Sequence, residues 1–379
     1  TGSVEGQVRT LILRSESALH VGWTEQGSQS LADAQAALRG ARLIDSNGLV
    51  LEALWRVGYA QIKGVSDKAG AEETIRTLCR EAFRTGHLGS MRRAIRLIVV
   101  FGDLSGDEAN CERAGRVELS AVEALARRGI ARHDLEASVI ANLGESLAYL
   151  GAFEEAVAVL RQGLQKQSEI EEPWLESNLA VAYAGLGRLG DAQAAAERAL
   201  ASSDVARSQW AFRLARRVLA GVLLEQGKPE GALAILNDQV LGSTPGEDGM
   251  TRVLLARAYA ALDRGAEALT EAKLAVRHFE VAEERELLSA VLARAVALET
   301  LAGSAKHDLQ RAGYLTEFKA DVRRAGILRE KTARLLSAGN RRESYLARNP
   351  DACLAKRLLE RLPPPDATDE AARLGDSPA

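Results

Sequence analysis

Apolar residues along this chain recur every three or four positions in helix-length blocks, and the blocks come in pairs joined by short polar turns. The clearest pair is ANLGESLAYLGAFEEAVAVLRQGL, residues 141–164. The next, SNLAVAYAGLGRLGDAQAAAERAL at 177–200, matches it in order. Asn142-Leu143-Gly144 corresponds to Asn178-Leu179-Ala180, Leu147 to Tyr183, Leu150-Gly151 to Leu186-Gly187, Phe153 to Leu189, Ala156 to Ala192 and Leu164 to Leu200. RRVLAGVLLEQGKPEGALAIL and RVLLARAYAALDRGAEALTEAKLAV are a third and a fourth copy, and SAVLARAVALETLAG is the first helix of a fifth. Gly144, Ala180, Ala220, Ala256 and Ala293 are thus separated by 36, 40, 36 and 37 residues.

The pattern predicts a helix, a turn and a second helix packed antiparallel on the first. Two helices that cross closely need small side chains at the crossing, supplied here by the glycine and alanines just named and by Ala156, Ala192, Ala232 and Ala268 on the second helices. Gly151, Gly187 and Gly227 end the first helices where a left-handed cap is cheap for glycine. The fourth copy has Asp263 there, with Gly265 two residues on, which predicts a different turn.

This order of positions across several copies resembles the tetratricopeptide repeat family, pairs of antiparallel helices of about 34 residues. The copies are longer and lack the usual proline after the second helix. The resemblance implies an all-α, right-handed superhelical solenoid of antiparallel hairpins that binds protein through its concave face. The longer order, from VEALARRG through the two best copies to RRESYLARNPDACLAKRLLERL, is also similar to the C-terminal repeat regions of large bacterial signalling proteins. There a Ser/Thr kinase or a nucleotide-switched ATPase precedes the repeats, which implies an attached domain of that kind in the full-length protein.

Upstream, stretches near 7–20, 29–44, 48–63, 69–85, 88–102 and 107–129 read as more degenerate helical hairpins. Downstream, 305–346 is a long, rather basic helical region, after which Asn349-Pro350 starts a last short helix to about Leu362. The expected division is therefore 1–136 degenerate repeats, 137–304 regular repeats, 305–362 a C-terminal helical cap, and 363–379 a polar, Pro-rich disordered tail.

Composition agrees: 46% of residues are hydrophobic but only 4% aromatic, so the core is Ala, Leu and Val. The net charge of −3 gives no global bias toward nucleic acid or anionic membrane. The basic stretch 306–334 is interleaved with Asp308, Glu317, Asp321 and Glu330, which argues against nucleic acid. The longest apolar run, LAVAYAGLG at 179–187, is far below the ~20 residues of a membrane span, and the N-terminus has no signal-peptide stretch. Three isolated cysteines, Cys79, Cys111 and Cys353, fit a reducing cytoplasm and read as packing residues. No P-loop, dinucleotide fingerprint, kinase motif, nucleophile elbow or zinc motif is present, and the five histidines are scattered. The expectation is a binding module with no catalytic residues, cofactor or metal.

The candidate binding residues lie on the first helices of the hairpins. Asn142 and Asn178 sit at equivalent positions, where an amide grips an extended peptide backbone or, equally, bonds the neighbouring helix. Arg217, Arg257 and Arg294, with the acids Glu145 and Glu225 nearby, form either a solvated charged face or one that selects acidic side chains or a chain-end carboxylate of a protein or extended peptide partner. A receptor that closes around a small molecule or short peptide is the alternative.

Overall fold

The computed structural model describes residues 3–21, 27–65, 67–86, 88–105, 108–127, 129, 133–166, 172–206, 209–237, 245–282, 284–336 and 339–363. The predicted polar tail, apart from Pro363, lies outside them.

Eighteen helices and no strand occur among the described residues. They are α1 (Val4–Val21), α2 (Gly27–Leu43), α3 (Asn47–Tyr59), α4 (Lys68–Thr85), α5 (Leu88–Ser105), α6 (Glu108–Ala126), α7 (His133–Tyr149), α8 (Phe153–Leu164), α9 (Glu172–Gly185) and α10 (Leu189–Ala206). There follow α11 (Gln209–Glu225), α12 (Pro229–Asn237), α13 (Pro245–Ala261), α14 (Gly265–Ala282), α15 (Glu284–Ser304), α16 (Asp308–Leu335), α17 (Gly339–Arg348) and α18 (Pro350–Glu360). A π-helical turn, Ala60–Gly64, extends α3. Consecutive helices pack as hairpins, so the chain is an all-α solenoid.

The hairpin crossings are as tight as the small residues require. Ala156, Ala180, Ala192, Ala220, Ala232, Ala256 and Ala268 are fully buried, and a Cβ placed on Gly144 would stand 2.3 Å from Leu160 Cδ2. The first helices end on left-handed glycines, with φ of 75° at Gly151 and 71° at both Gly187 and Gly227. The fourth turn corrects the expectation of a different geometry: Asp263 takes the same left-handed position, with φ 57°. The closing bond is the same too, Arg264 N to Tyr259 O at 2.9 Å beside Arg188 N to Tyr183 O and Lys228 N to Leu223 O, each 2.9 Å. An aspartate tolerates this conformation better than most residues, so the hairpin keeps its turn without a glycine.

Odd-numbered helices pack on the next odd one, α1 on α3, α3 on α5, α7 on α9, and so on to α13 on α15. Even-numbered helices up to α14 show no comparable packing on one another among the described residues. In a curved stack the wall whose helices approach each other is the inner one, so the odd helices line the concave face. Between α5 and α7 this inner wall has no comparable packing; α6 joins them instead.

The C-terminal region does more than cap the last repeat. The predicted basic stretch is two helices, α16 and α17, and Asn349 caps α18 as expected, accepting from Ala352 N at 3.0 Å. Residues of α16–α18 reach back to α6–α8. Tyr345, fully buried, joins Ala109, Leu150, Ala333, Leu336 and Ala352 in one cluster, its ring 5.8 Å from that of Tyr149. Arg341 bonds Glu112, 229 residues away, through Nε at 2.7 Å, and Glu155 through Nη1 at 2.8 Å. Arg348 grips Glu154 with two bonds of 2.8 and 2.9 Å, and Asn349 Nδ2 donates to Tyr149 O at 2.9 Å. α15 also packs against α5. The array therefore closes on itself. α15 is also long and apolar enough to cross a bilayer, but its apolar residues Leu288, Val291, Leu292 and Leu298 are buried in the core.

Candidate binding face

The residues one position after each crossing residue are Glu145, Val181, Gly221, Arg257 and Arg294, of which the first four form a row along the inner wall. Val181 is 42% exposed. A Cβ on Gly221 would meet only Leu254 Cδ2, at 3.9 Å, so the wall is open there. Arg257 is exposed and pairs with Glu225 of α11 at 2.7 Å, one turn along the same wall. Both partners are substantially exposed, so the pair contributes little to stability and is easily exchanged for another partner. Glu145 is half-buried on α7. The row thus runs from an acid through an apolar, open centre to a base.

The other predicted residues are placed differently. Asn178 is 7% exposed, and its Nδ2 donates to Ala141 O at 3.0 Å, tying α9 to α7. Of the two readings of that amide, the bond to the neighbouring helix is the one formed. Asn142 Nδ2 donates to Ser138 O at 2.7 Å in its own helix and stays half-buried. Arg217 is half-buried on α11. Arg294, equivalent in register to Arg257, turns the other way: its Nε bonds Asp321 Oδ2 of α16 at 2.7 Å and its Nη2 bonds Oδ1 of the same carboxylate, which is 3% exposed. The hydrogen bond to Asp321 holds the Arg294 guanidinium above its ordinary value. This pair fastens the last hairpin. The structure therefore brings Glu145 and Arg257 to one row but does not bring the three arginines together.

Sequence reasoning missed a second set of arginines, on α5. Arg92 Nη1 bonds Glu118 Oε1 at 3.0 Å, with the carboxylate only 1% exposed, and Arg93 lies 3.8 Å from Glu52. Arg96 Nη2 donates to Ser138 Oγ at 3.2 Å, reaching across from α5 to α7. Burial pushes the Glu118 carboxyl up, against the pull of Arg96 and Arg92, and burial also pulls Arg92 down. A signal was present: Arg92 and Arg96 are one turn apart, beside Arg93, in a helix whose second half is mostly apolar.

No family model matches the chain, and no curated protein is similar to it. Solved structures are. The Rap conjugation gene regulator of the plasmid pLS20, in complex with the Phr* peptide, is 13% identical, with 93% of this chain and 96% of that one covered and a TM-score of 0.50. A Rap protein complexed with competence and sporulation factor is 10% identical over 94% of this chain and 100% of that one, TM-score 0.48. BtubC from P. vanneervenii is 19% identical over 56% of this chain and 90% of that one, TM-score 0.40. At such identities the likeness is one of fold, a helical-repeat solenoid resembling tetratricopeptide repeat proteins.

Proposed function

We propose that this chain is a binding module for a protein segment or extended peptide, held on the inner wall formed by the odd-numbered helices. The observation that carries the reading is the row Glu145, Val181, Gly221 and Arg257, in which a charged residue of each sign flanks an exposed apolar side chain and an open backbone position. An extended guest meets one such position per hairpin, a basic or amide group at Glu145, an apolar side chain at Val181 and Gly221, and an acidic group at Arg257. One solved structure of this fold contains a peptide, so the architecture admits such a guest. The setting that fits is a cytoplasmic bacterial signalling system whose kinase or ATPase output lies in an attached domain or a partner.

A charge swap tests this. Peptides selected from a random library on the wild-type chain should carry an acidic residue on the side that meets Arg257. On the double variant Glu145→Arg, Arg257→Glu the selected charge order should invert, with wild-type peptides bound at least tenfold more weakly. Selection of the same peptides by both proteins would sink the assignment. The closure of the array, with α15 against α5, favours the second reading of a receptor that encloses a short peptide. That reading predicts binding slowed by opening, with on-rates that rise when Arg341 is replaced.

A further inference from the structure

At 28 residues α16 is the longest of the described helices, and it lies outside the repeat pattern. One side of it packs into the fold: Phe318, Asp321, Val322, Ala325, Gly326 and Ala333 are buried. The other side is bare, and of residues 308–317 only Tyr314 is even half-buried. A length of helix with so little packed on it is marginal in water. Two large apolar side chains stand on the bare side, Leu309 at 90% exposure and Ile327 at 63%.

Leu309, Gly313, Thr316, Ala320, Arg323 and Ile327 follow one another at steps of 4, 3, 4, 3 and 4, the spacing that keeps one seam along a helix for a second helix to meet. None of the six is buried. Thr316 Oγ1 donates to Ala312 O of its own helix at 2.9 Å, which leaves its methyl group to the seam. A Cβ on Gly313 would meet nothing within 4 Å. The seam is also its own complement. Turned end for end about residue 318, it sets Leu309 against Ile327, Thr316 against Ala320, and the long Arg323 against Gly313, which has no side chain. Laid parallel, it would set arginine on arginine and leave a gap at glycine on glycine. Charge agrees with the antiparallel order: residues 308–317 carry Asp308 and Glu317 against Arg311, whereas residues 319–335 carry six bases against Asp321 and Glu330.

We infer that the bare side of α16 is a self-association surface, on which two copies of this chain pair through antiparallel α16 helices with Leu309 of each seated on Ile327 of the other. The acidic start of one helix then lies along the basic remainder of the other, and the small residues in the middle let the two backbones approach closely. From Leu309 to Ile327 the seam runs about 27 Å. That is short for a permanent dimer, so the pair belongs with the small interfaces whose occupancy follows concentration.

Sedimentation velocity on the full chain should show monomer passing to dimer between about 1 and 200 μM. Leu309→Glu and Ile327→Glu should each weaken the dimer at least tenfold with helical content unchanged, since both side chains are exposed in the single chain. Gly313→Leu separates the pairing from any effect on α16 itself. It favours the helix and its Cβ meets nothing in the monomer, yet it fills the space that Arg323 of the partner subunit needs. It should therefore weaken the dimer while leaving the thermal stability of the monomer equal or higher. A mixture of the Leu309→Cys and Ile327→Cys variants should cross-link on mild oxidation faster than either variant alone. A dimer indifferent to any of the three substitutions, or one in which Leu309→Cys cross-links chiefly with itself, overturns the antiparallel seam. So does a chain that stays monomeric throughout the range: fast alkylation of the Leu309→Cys thiol then leaves the face to a different protein, and slow alkylation gives it to residues 364–379 of the same chain.

Discussion

Asp263 occupies a backbone position that three sibling hairpins give to glycine, and it holds the same φ sign and the same closing hydrogen bond. A non-glycine residue there bears a cost of about 1 kcal/mol, discounted for aspartate. Asp263→Gly should therefore raise the stability of the chain by roughly 0.5–1 kcal/mol in urea unfolding, and Asp263→Val should lower it. The same residue shows how far single positions can be read. A glycine at a helix end announces its turn, whereas an aspartate leaves two geometries open and the packing of the hairpin decides between them. Arg257 and Arg294 make the point for function: equivalent in register, one faces the inner wall and the other is taken by Asp321, a residue in a helix outside the repeat pattern.

At the scale of elements, the hairpins were legible because their determinants are local: small residues at crossings, caps at ends, and a period near 36 residues. α17 was not, because what holds it lies about two hundred residues upstream. Its anchoring predicts its own failure mode. Arg341→Ala removes bonds to Glu112 and Glu155, but Glu112 keeps Arg116, whose Nε bonds it at 2.9 Å. The loss should therefore be about 1–2 kcal/mol, below the cost of stranding a buried charge. Gly151→Ala should act on the same contact by a different route. Its Cβ would meet Ser344 O at 2.8 Å and Arg348 Cβ at 2.9 Å in a left-handed backbone, so α17 should be pushed off while α7 and α8 stay folded. Protease cleavage near residues 337–349, faster in either variant, would show it; unchanged cleavage would count against the clasp.

For the whole molecule, the clasp carries a pH dependence with a definite sign. Hydrogen bonds from Arg348 hold Glu154 below the ordinary carboxylate range, and those from Arg341 do the same for Glu155. Folded values below the unfolded ones mean that this contribution is fully present above about pH 4.3 and is lost as pH falls through the lowered values. Glu118, raised by burial, works in the opposite sense and softens the fall. Between about pH 5 and 3 the unfolding midpoint should drop more steeply for the wild type than for the double variant Glu154→Gln, Glu155→Gln. Parallel curves would show that the clasp contributes nothing.

A linear repeat array frays from both ends, because each repeat is held by its neighbours alone and the last one has a single neighbour. Here the clasp joins α17 to α6, α7 and α8, so the stretch from α6 to α18 has no free end of that kind. Opening any hairpin within it means breaking two interfaces rather than one. Amide hydrogens from α7 to α16 should then exchange through a shared, cooperative opening, while α1 to α4, which hang outside the loop, exchange earlier and independently. Arithmetic that adds one repeat at a time ends at α5, and beyond it the protein behaves as a circle.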